Sequence, residues 1–294
     1  MNIVVRLKSK DEIENLVNLG IDVFMLDTKE FTAKSIYPLD LNKFIEIFQV
    51  IKKYHKLVYV NINKMIHETD LSNLNNWMAF LKTIEIDGIV INDFTVFVVA
   101  KAHGLENKVI YQPGTMNTNT YDALFLEEKI KGISLSKEIT LEEILTIVKS
   151  PAKIEYSLVG HGYLDMFFSK RKLITNYFIH KGRHFHKIKN NPHFVIEEKT
   201  RDGIYYPILE DEIGTHIFRD KKLESFKEVR ELESYLTDFF IERLFIDDEE
   251  YYDTIKAYQD KDEHHKFINK YKGNFNSGFY YLPTEKTKGE RHVD

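Results

Sequence analysis

Seven short runs rich in β-branched residues recur along the first half of the chain, at residues 3–5, 23–26, 57–62, 88–91, 108–111, 132–135 and 153–159. Amphipathic stretches separate them. Residues 11–19 read DEIENLVNL, with Ile13, Leu16 and Val17 near helical spacing. Residues 40–55 open on Asp40 and carry Phe44, Ile47, Phe48 and Ile51 on one side. Residues 70–84 and 140–149 behave alike, the latter opening TLEE, the form of a capping box. Strands alternating with helices form a parallel sheet, because parallel neighbours need a crossover. With a further apolar run at 239–246 and a helix after it, the pattern predicts a TIM-like (β/α)8 barrel. A doubly wound open sheet is the alternative.

The pattern changes after Phe178. Residues 180–219 hold the alternating runs HFVIEEK and IYYPILED, separated by Asp-Gly and Gly-Thr. These predict a small antiparallel β insertion before the last β/α unit. The expected organisation is barrel units one to seven over 1–178, the insertion over 179–222, and a closing β/α unit with a tail over 223–294. A helix is expected over 225–236.

Composition narrows function by exclusion. The net charge of −5 over 294 residues gives no general attraction to nucleic acid or an anionic membrane, and no DNA partner is expected. A local basic patch remains compatible with it. The chain has no cysteine. That removes disulfides, thiol nucleophiles and thiolate-ligated metal clusters together. The opening MNIVVRLKSKDEI lacks the apolar core of a signal peptide, and no apolar run approaches the ~20 residues of a membrane span. A cytoplasmic location with no membrane partner is the expectation.

In a parallel barrel the chemistry gathers where strands end and their following loops begin. Polar residues at those positions are Arg6, Asp27, Asn61, Asn63, Asn92, Asp93, Gln112, Ser134, Ser136 and Glu138, with Glu155, Ser157 and His161 assigned to the seventh unit. Each alone reads as a solvated loop residue or a helix cap, as Asp40 and Asp70 do. Together they predict a polar rim suited to a small anionic or hydrogen-bonding ligand. Ser157, His161 and Asp165 are the residue types of a nucleophilic triad, but triads are defined by spatial geometry and not by nearness in sequence. His184 and His186 share a face if extended, and His264 and His265 are adjacent. Neither pair has a carboxylate at ligand spacing, so no metal site is expected.

Glu155, Gly160, Ser169, Arg171 and Leu173 stand in the frame E-x4-G-x8-S-x-R-x-L. That frame resembles the signature of peptidase family U32, the collagenase-like group. GIDVFML, LSKEITLEEI, YYPILEDEIGTHIFRDKKL and the late NSGFYY resemble further blocks of the family in the same order. The resemblance implies a TIM-like barrel. It also implies kinship with a branch that converts wobble uridine of transfer RNA to 5-hydroxyuridine, with prephenate as co-substrate. In that branch a shorter, cysteine-poor protein pairs with a longer paralogue, and this chain is similar to the shorter one. Several family members carry an iron–sulfur cluster on four cysteines; here Tyr163 and Lys172 stand at two of those positions, so no cofactor is expected.

Glu155 and Arg171, within the family frame, and His161, from the seventh unit, are the expected catalytic residues, with Glu155 and Arg171 expected to pair. Arg6, Asn61, Asn92 and Gln112, from the polar rim, and Ser169, Glu210, His216 and Arg219, from the segments that resemble the family, are expected to bind substrate, an arginine among them receiving a carboxylate. Lys170, Arg171, Lys172, Lys181, Arg183 and Lys187, interleaved with Tyr177, Phe178 and Phe185, suit contact with transfer RNA. The alternatives are a collagenase-like protease and a non-catalytic partner of a cluster-bearing paralogue.

Overall fold

In the computed structural model, which describes residues 1–183 and 187–282, eight parallel strands close into a barrel. Seven arrive in chain order: β1 (Asn2–Arg6), β2 (Val23–Asp27), β3 (Leu57–Ile62), β4 (Gly88–Ile91), β5 (Val109–Tyr111), β6 (Gly132–Ser134) and β7 (Glu155–His161). The expectations for His184, Phe185 and His186 lie outside the described residues.

The chain then leaves the barrel. Strands β8 (Asp165–Ser169), β9 (Val195–Glu197), β10 (Tyr205–Glu210) and β11 (Thr215–Phe218) form a separate antiparallel sheet in the order β8-β11-β10-β9. A short parallel pair joins β12 (Lys222–Leu223) to β14 (Phe275–Asn276). Between them, β13 (Leu236–Ile241) closes the barrel, pairing with β7 on one side and β1 on the other.

Alternation along each strand sorts residues into two layers. Val4, Val23, Met25, Tyr59, Val90, Ile110 and Phe240 fill the barrel interior. Their neighbours, such as Phe24, Val58, Val60, Ile89 and Phe239, face the surrounding helices and join the larger core. The helix Leu41–Lys53 shows why the outer layer forms. Asp40 accepts the Lys43 amide hydrogen at 3.0 Å to cap it, and Phe44, Ile47 and Ile51 go under. Each such side chain contributes ~1.5–3 kcal/mol on full burial. The Thr140–Glu143 capping box predicted from TLEE starts the helix Leu141–Val148.

The inserted sheet packs over one end of the barrel through Leu209 and Phe218, which meet Leu244 just after β13. Two expectations shift. The last barrel strand spans Leu236–Ile241 and not 239–246, because the chain turns over Arg243–Ile246, where the Ile246 N–H donates to the Arg243 carbonyl at 3.2 Å and Phe245 takes a left-handed φ of 63°. The helix expected over 225–236 is confined to Glu228–Leu232, since β13 starts at Leu236.

Candidate functional site at the barrel rim

Arg6 leaves the end of β1 between two carboxylates. Its Nη1 donates to Asp27 Oδ1 at 2.5 Å, and its Nε and Nη2 donate to the two oxygens of Glu242 at 2.8 and 3.1 Å. Asp27, at the end of β2, also accepts from Asn61 Nδ2 at 2.8 Å. Burial opposes the charged guanidinium, but the two carboxylates outweigh it and raise its pKa.

A second charged group faces the first. Asp165 accepts from Lys137 Nζ at 2.7 Å, and Lys34 Nζ lies 3.3 Å from its other oxygen. Burial would raise the Asp165 pKa, yet the two ammonium groups hold it well below the usual carboxylate range. Lys34 has a φ of 59°, and its backbone N–H donates to Asp211 Oδ2 at 2.9 Å.

Between these groups lies a small cleft, open on one side, with Arg6, Lys34, Asn92, Gln112, Lys137 and Glu242 in its wall. The charges in the wall are matched within it. Free hydrogen-bonding capacity resides instead on uncharged groups. Gln112 Nε2 and Ser134 Oγ are buried with no hydrogen-bond partner among the described residues. Buried polar atoms are rarely left so, and the pair in one cleft makes it the candidate site. An adjoining cavity shares Lys34, Asn63, Asn92 and Asp165 with the cleft and adds His216 and Phe168.

Of the residues expected from sequence, the rim therefore gathers Arg6, Asn61 through Asp27, Asn92, Gln112 and, in the adjoining cavity, His216. Six others lie elsewhere. Glu155 begins β7, at the end of the barrel opposite the rim, with Lys131 3.9 Å away. Burial raises its pKa, Lys131 opposes that and Asp238 adds to it. The expected pair with Arg171 does not form; Arg171 is exposed beyond β8, its backbone N–H donating to Ser169 Oγ in a turn. Glu210 is fully buried, and its carboxylate receives the Thr175 backbone N–H at 3.0 Å and the Thr175 hydroxyl, fixing the first turn of the helix Leu173–His180. Arg219 stacks its guanidinium 4.7 Å from the Phe279 ring, outside the cleft wall.

His161 is also displaced, for a local reason. The pairing of β7 with β13 slips between Phe240 and Ile241, so that Val159 opposes Phe240 and His161 opposes Ile241. Gly160 is the extra residue of a β-bulge, and one added residue exchanges the two faces of the strand. Val159 faces the barrel interior while His161 turns to the helix layer, with Tyr258, Phe226, Phe267 and Phe275 around its ring. Its Nδ1 lies 3.2 Å from the Tyr258 hydroxyl and its Nε2 3.4 Å from Thr254 Oγ1. Ser157 Oγ donates to the Ile133 carbonyl. Ser157, His161 and Asp165 thus form no triad.

Sequence reasoning missed Lys34, Lys137 and Glu242. Lys137 lies in the loop three residues beyond the sixth strand and Glu242 directly follows the last, which is the positional signal that finds them. Lys34 lies in a loop with no such signal. Tyr163 lines the cleft edge-on to Phe245, and Lys172 points to Glu212, 3.9 Å away. With no cysteine in the chain, a four-thiolate cluster has no ligands here, and no group of three or more His, Asp or Glu residues is placed to hold a metal ion among the described residues. None of their helices is long and apolar enough to cross a membrane.

Residues 8–280 match the family model for peptidase family U32. The chain belongs to this family. The U32 chain is 28% identical to "tRNA hydroxylation protein P2" of Bacillus subtilis, over 76% of its own length and 73% of that protein. It is 26% identical to an "uncharacterized protease" of Methanocaldococcus jannaschii, over 93% of its length and 71% of the relative. A "tRNA hydroxylation protein P" of Helicobacter pylori is 27% identical over 66% of this chain but only 46% of that longer protein. A solved U32 peptidase superimposes with a TM-score of 0.51 at 16% identity, covering 82% of this chain and 92% of the other, which establishes a shared fold.

Proposed function

We propose that this U32 protein is a subunit of a transfer-RNA wobble-uridine 5-hydroxylation system, with prephenate as co-substrate and a longer family paralogue as partner. The observation that carries this reading is its similarity, over most of its length, to a family member named for transfer-RNA hydroxylation. The rim adds chemical support. A cleft with matched charges and unpartnered amide and hydroxyl groups suits a ligand recognised by hydrogen bonds. Arg6, Asn61, Asn92, Gln112 and His216 are the proposed binding set. Exposed Lys170, Arg171, Lys181 and Arg183, with Tyr177 at 57% exposure, border the helix Leu173–His180 and suit phosphate and base contact. Such binding is local and weakens with salt. A cytoplasmic location accords with that substrate, and any iron–sulfur chemistry resides in the partner.

The protease reading has less support, because Ser157 and His161 face different layers of the barrel and Ser157 is engaged with a carbonyl. The test is mass spectrometry of transfer-RNA nucleosides from a deletion strain. Loss of 5-hydroxyuridine, restored by the wild-type gene and not by Gln112→Ala, is the expected result. A deletion strain with unchanged 5-hydroxyuridine overturns the proposal.

A further inference from the structure

The buried pair His216–Asp211 has a geometry that simple packing does not require. His216 Nε2 lies 3.1 Å from Asp211 Oδ2, both side chains being almost fully buried. Asp211 does not need the histidine to satisfy its carboxylate. It already accepts backbone N–H groups from Lys34 at 2.9 Å, Ile213 at 2.8 Å and Gly214 at 3.0 Å. Burial would raise the Asp211 pKa, but His216 and these donors hold it below the usual carboxylate range, so it is an anion at neutral pH. An anion facing Nε2 places a proton there and leaves Nδ1 as the basic nitrogen.

That second nitrogen has no hydrogen-bond partner among the described residues, and His216 lines the cavity that adjoins the cleft. The ring is fixed in plane by Phe168, stacked at 4.8 Å and 24°. The charged groups facing the cavity are Lys34, from the loop after β2, and Asp165, from β8. They pair with each other at 3.3 Å, and Lys34 also holds Asp211 through its backbone. A buried carboxylate, a histidine with one nitrogen engaged and one free, and an adjacent cleft reproduce the base–orienter arrangement of acid–base catalysis.

We propose that His216 is a proton-transfer residue, positioned by Asp211, for a polar ligand with an N–H or O–H group bound across the two joined cavities. The ligand's N–H or O–H bond breaks, its electron pair stays on the ligand, and the proton forms an Nδ1–H bond. The imidazolium so formed faces Asp211, and the proton returns to the ligand or leaves to water. Asp211 is a positioning residue. This assignment rests on the proposed function for its ligand but not for its geometry.

Two measurements test it. Long-range nitrogen–proton spectra of the histidine-labelled protein, with His216→Gln for assignment, are expected to show the neutral ring carrying its proton on Nε2 with Nδ1 bare. In Asp211→Asn that single-tautomer pattern is lost, since the anion that holds the proton on Nε2 is gone. In the complemented deletion strain, His216→Gln keeps a donor for Asp211 and unfolds within a few degrees of wild type, yet 5-hydroxyuridine falls by about 100-fold, the lower range for loss of a proton-transfer group. A proton on Nδ1 with Nε2 bare, or full modification by His216→Gln, overturns the assignment. A deletion strain that keeps its 5-hydroxyuridine removes the transfer-RNA reading instead, and the spectra then decide the dyad alone.

Discussion

Gly160 lies against the ring of Phe239: a Cβ at Gly160 would stand 1.9 Å from Cε2 and 2.2 Å from Cζ. The contact binds the bulge in β7 to the strand that closes the barrel. The Gly160 carbonyl is held in turn by the Ser225 hydroxyl at 2.6 Å and the Tyr258 hydroxyl at 3.2 Å. Gly160→Ala is therefore expected to destabilise the fold by about 3 kcal/mol, the upper part of the usual overpacking range. Urea unfolding measures it. Adding Phe239→Leu should recover part of the loss, and an alanine variant as stable as wild type would remove the steric account.

His161 predicts an acid limb in stability. Burial pushes its pKa down to about 3, and Lys222 presses the same way. The unfolded chain takes up a proton near the ordinary histidine value of ~6.5. Between those values the unfolded state binds a proton that the native state refuses, so stability falls as pH falls, by up to ~1.4 kcal/mol per pH unit from this group. Melting temperatures of wild type and His161→Phe across pH 4 to 7 give the comparison. The two slopes should differ by this contribution, and equal slopes would show that His161 carries none of it.

Arg6→Lys retains the charge but cannot span Asp27 and both oxygens of Glu242. A loss of about 3 kcal/mol is expected, because buried carboxylates would be left partly unpaired. Arg171→Lys, on the exposed turn after β8, should stay within about 0.5 kcal/mol of wild type. Chemical denaturation of the two variants side by side separates a buried network from a surface charge.

Lys34→Gly tests the cleft without disturbing the fold. Glycine relieves the left-handed backbone, worth ~1–2 kcal/mol, and keeps the N–H that Asp211 accepts. It removes one of the two ammonium groups on Asp165. The melting temperature should hold or rise while 5-hydroxyuridine in the complemented strain falls. A large loss of stability would show that the ion pair outweighs the backbone term.

The barrel was legible because strands obey a simple period. The runs at 57–62 and 88–91 coincide with β3 and β4, and 108–111 overlaps β5. The site was legible where a polar residue follows an apolar run, as Arg6, Asn92 and Gln112 do. It failed where a strand departs from its period. The seventh run was read at 153–159, whereas β7 spans Glu155–His161. That shift sends Glu155 to the far end, and the bulge then turns His161 outward. Glu242 was hidden within the apolar run FFIERLFI, which reads as one strand until the break at Phe245 is known. Ser169 and Arg171 keep the family frame, yet Ser169 ends β8 and Arg171 falls on the surface turn after it, because the sheet that carries them starts within the segment assigned to the barrel.

β13 has a consequence for how the molecule is made. It supplies the last wall of the barrel, but the chain reaches it only after the entire inserted sheet, from β7 ending at His161 to β13 starting at Leu236. Until Ile241 leaves the ribosome, β1 and β7 each keep one raw edge, on the side away from β2 and β6, because the strand they share as a partner is missing from the nascent chain. Synthesis thus exposes two sticky margins for the time needed to translate the insertion, and early collapse of that sheet over the open mouth would shelter them.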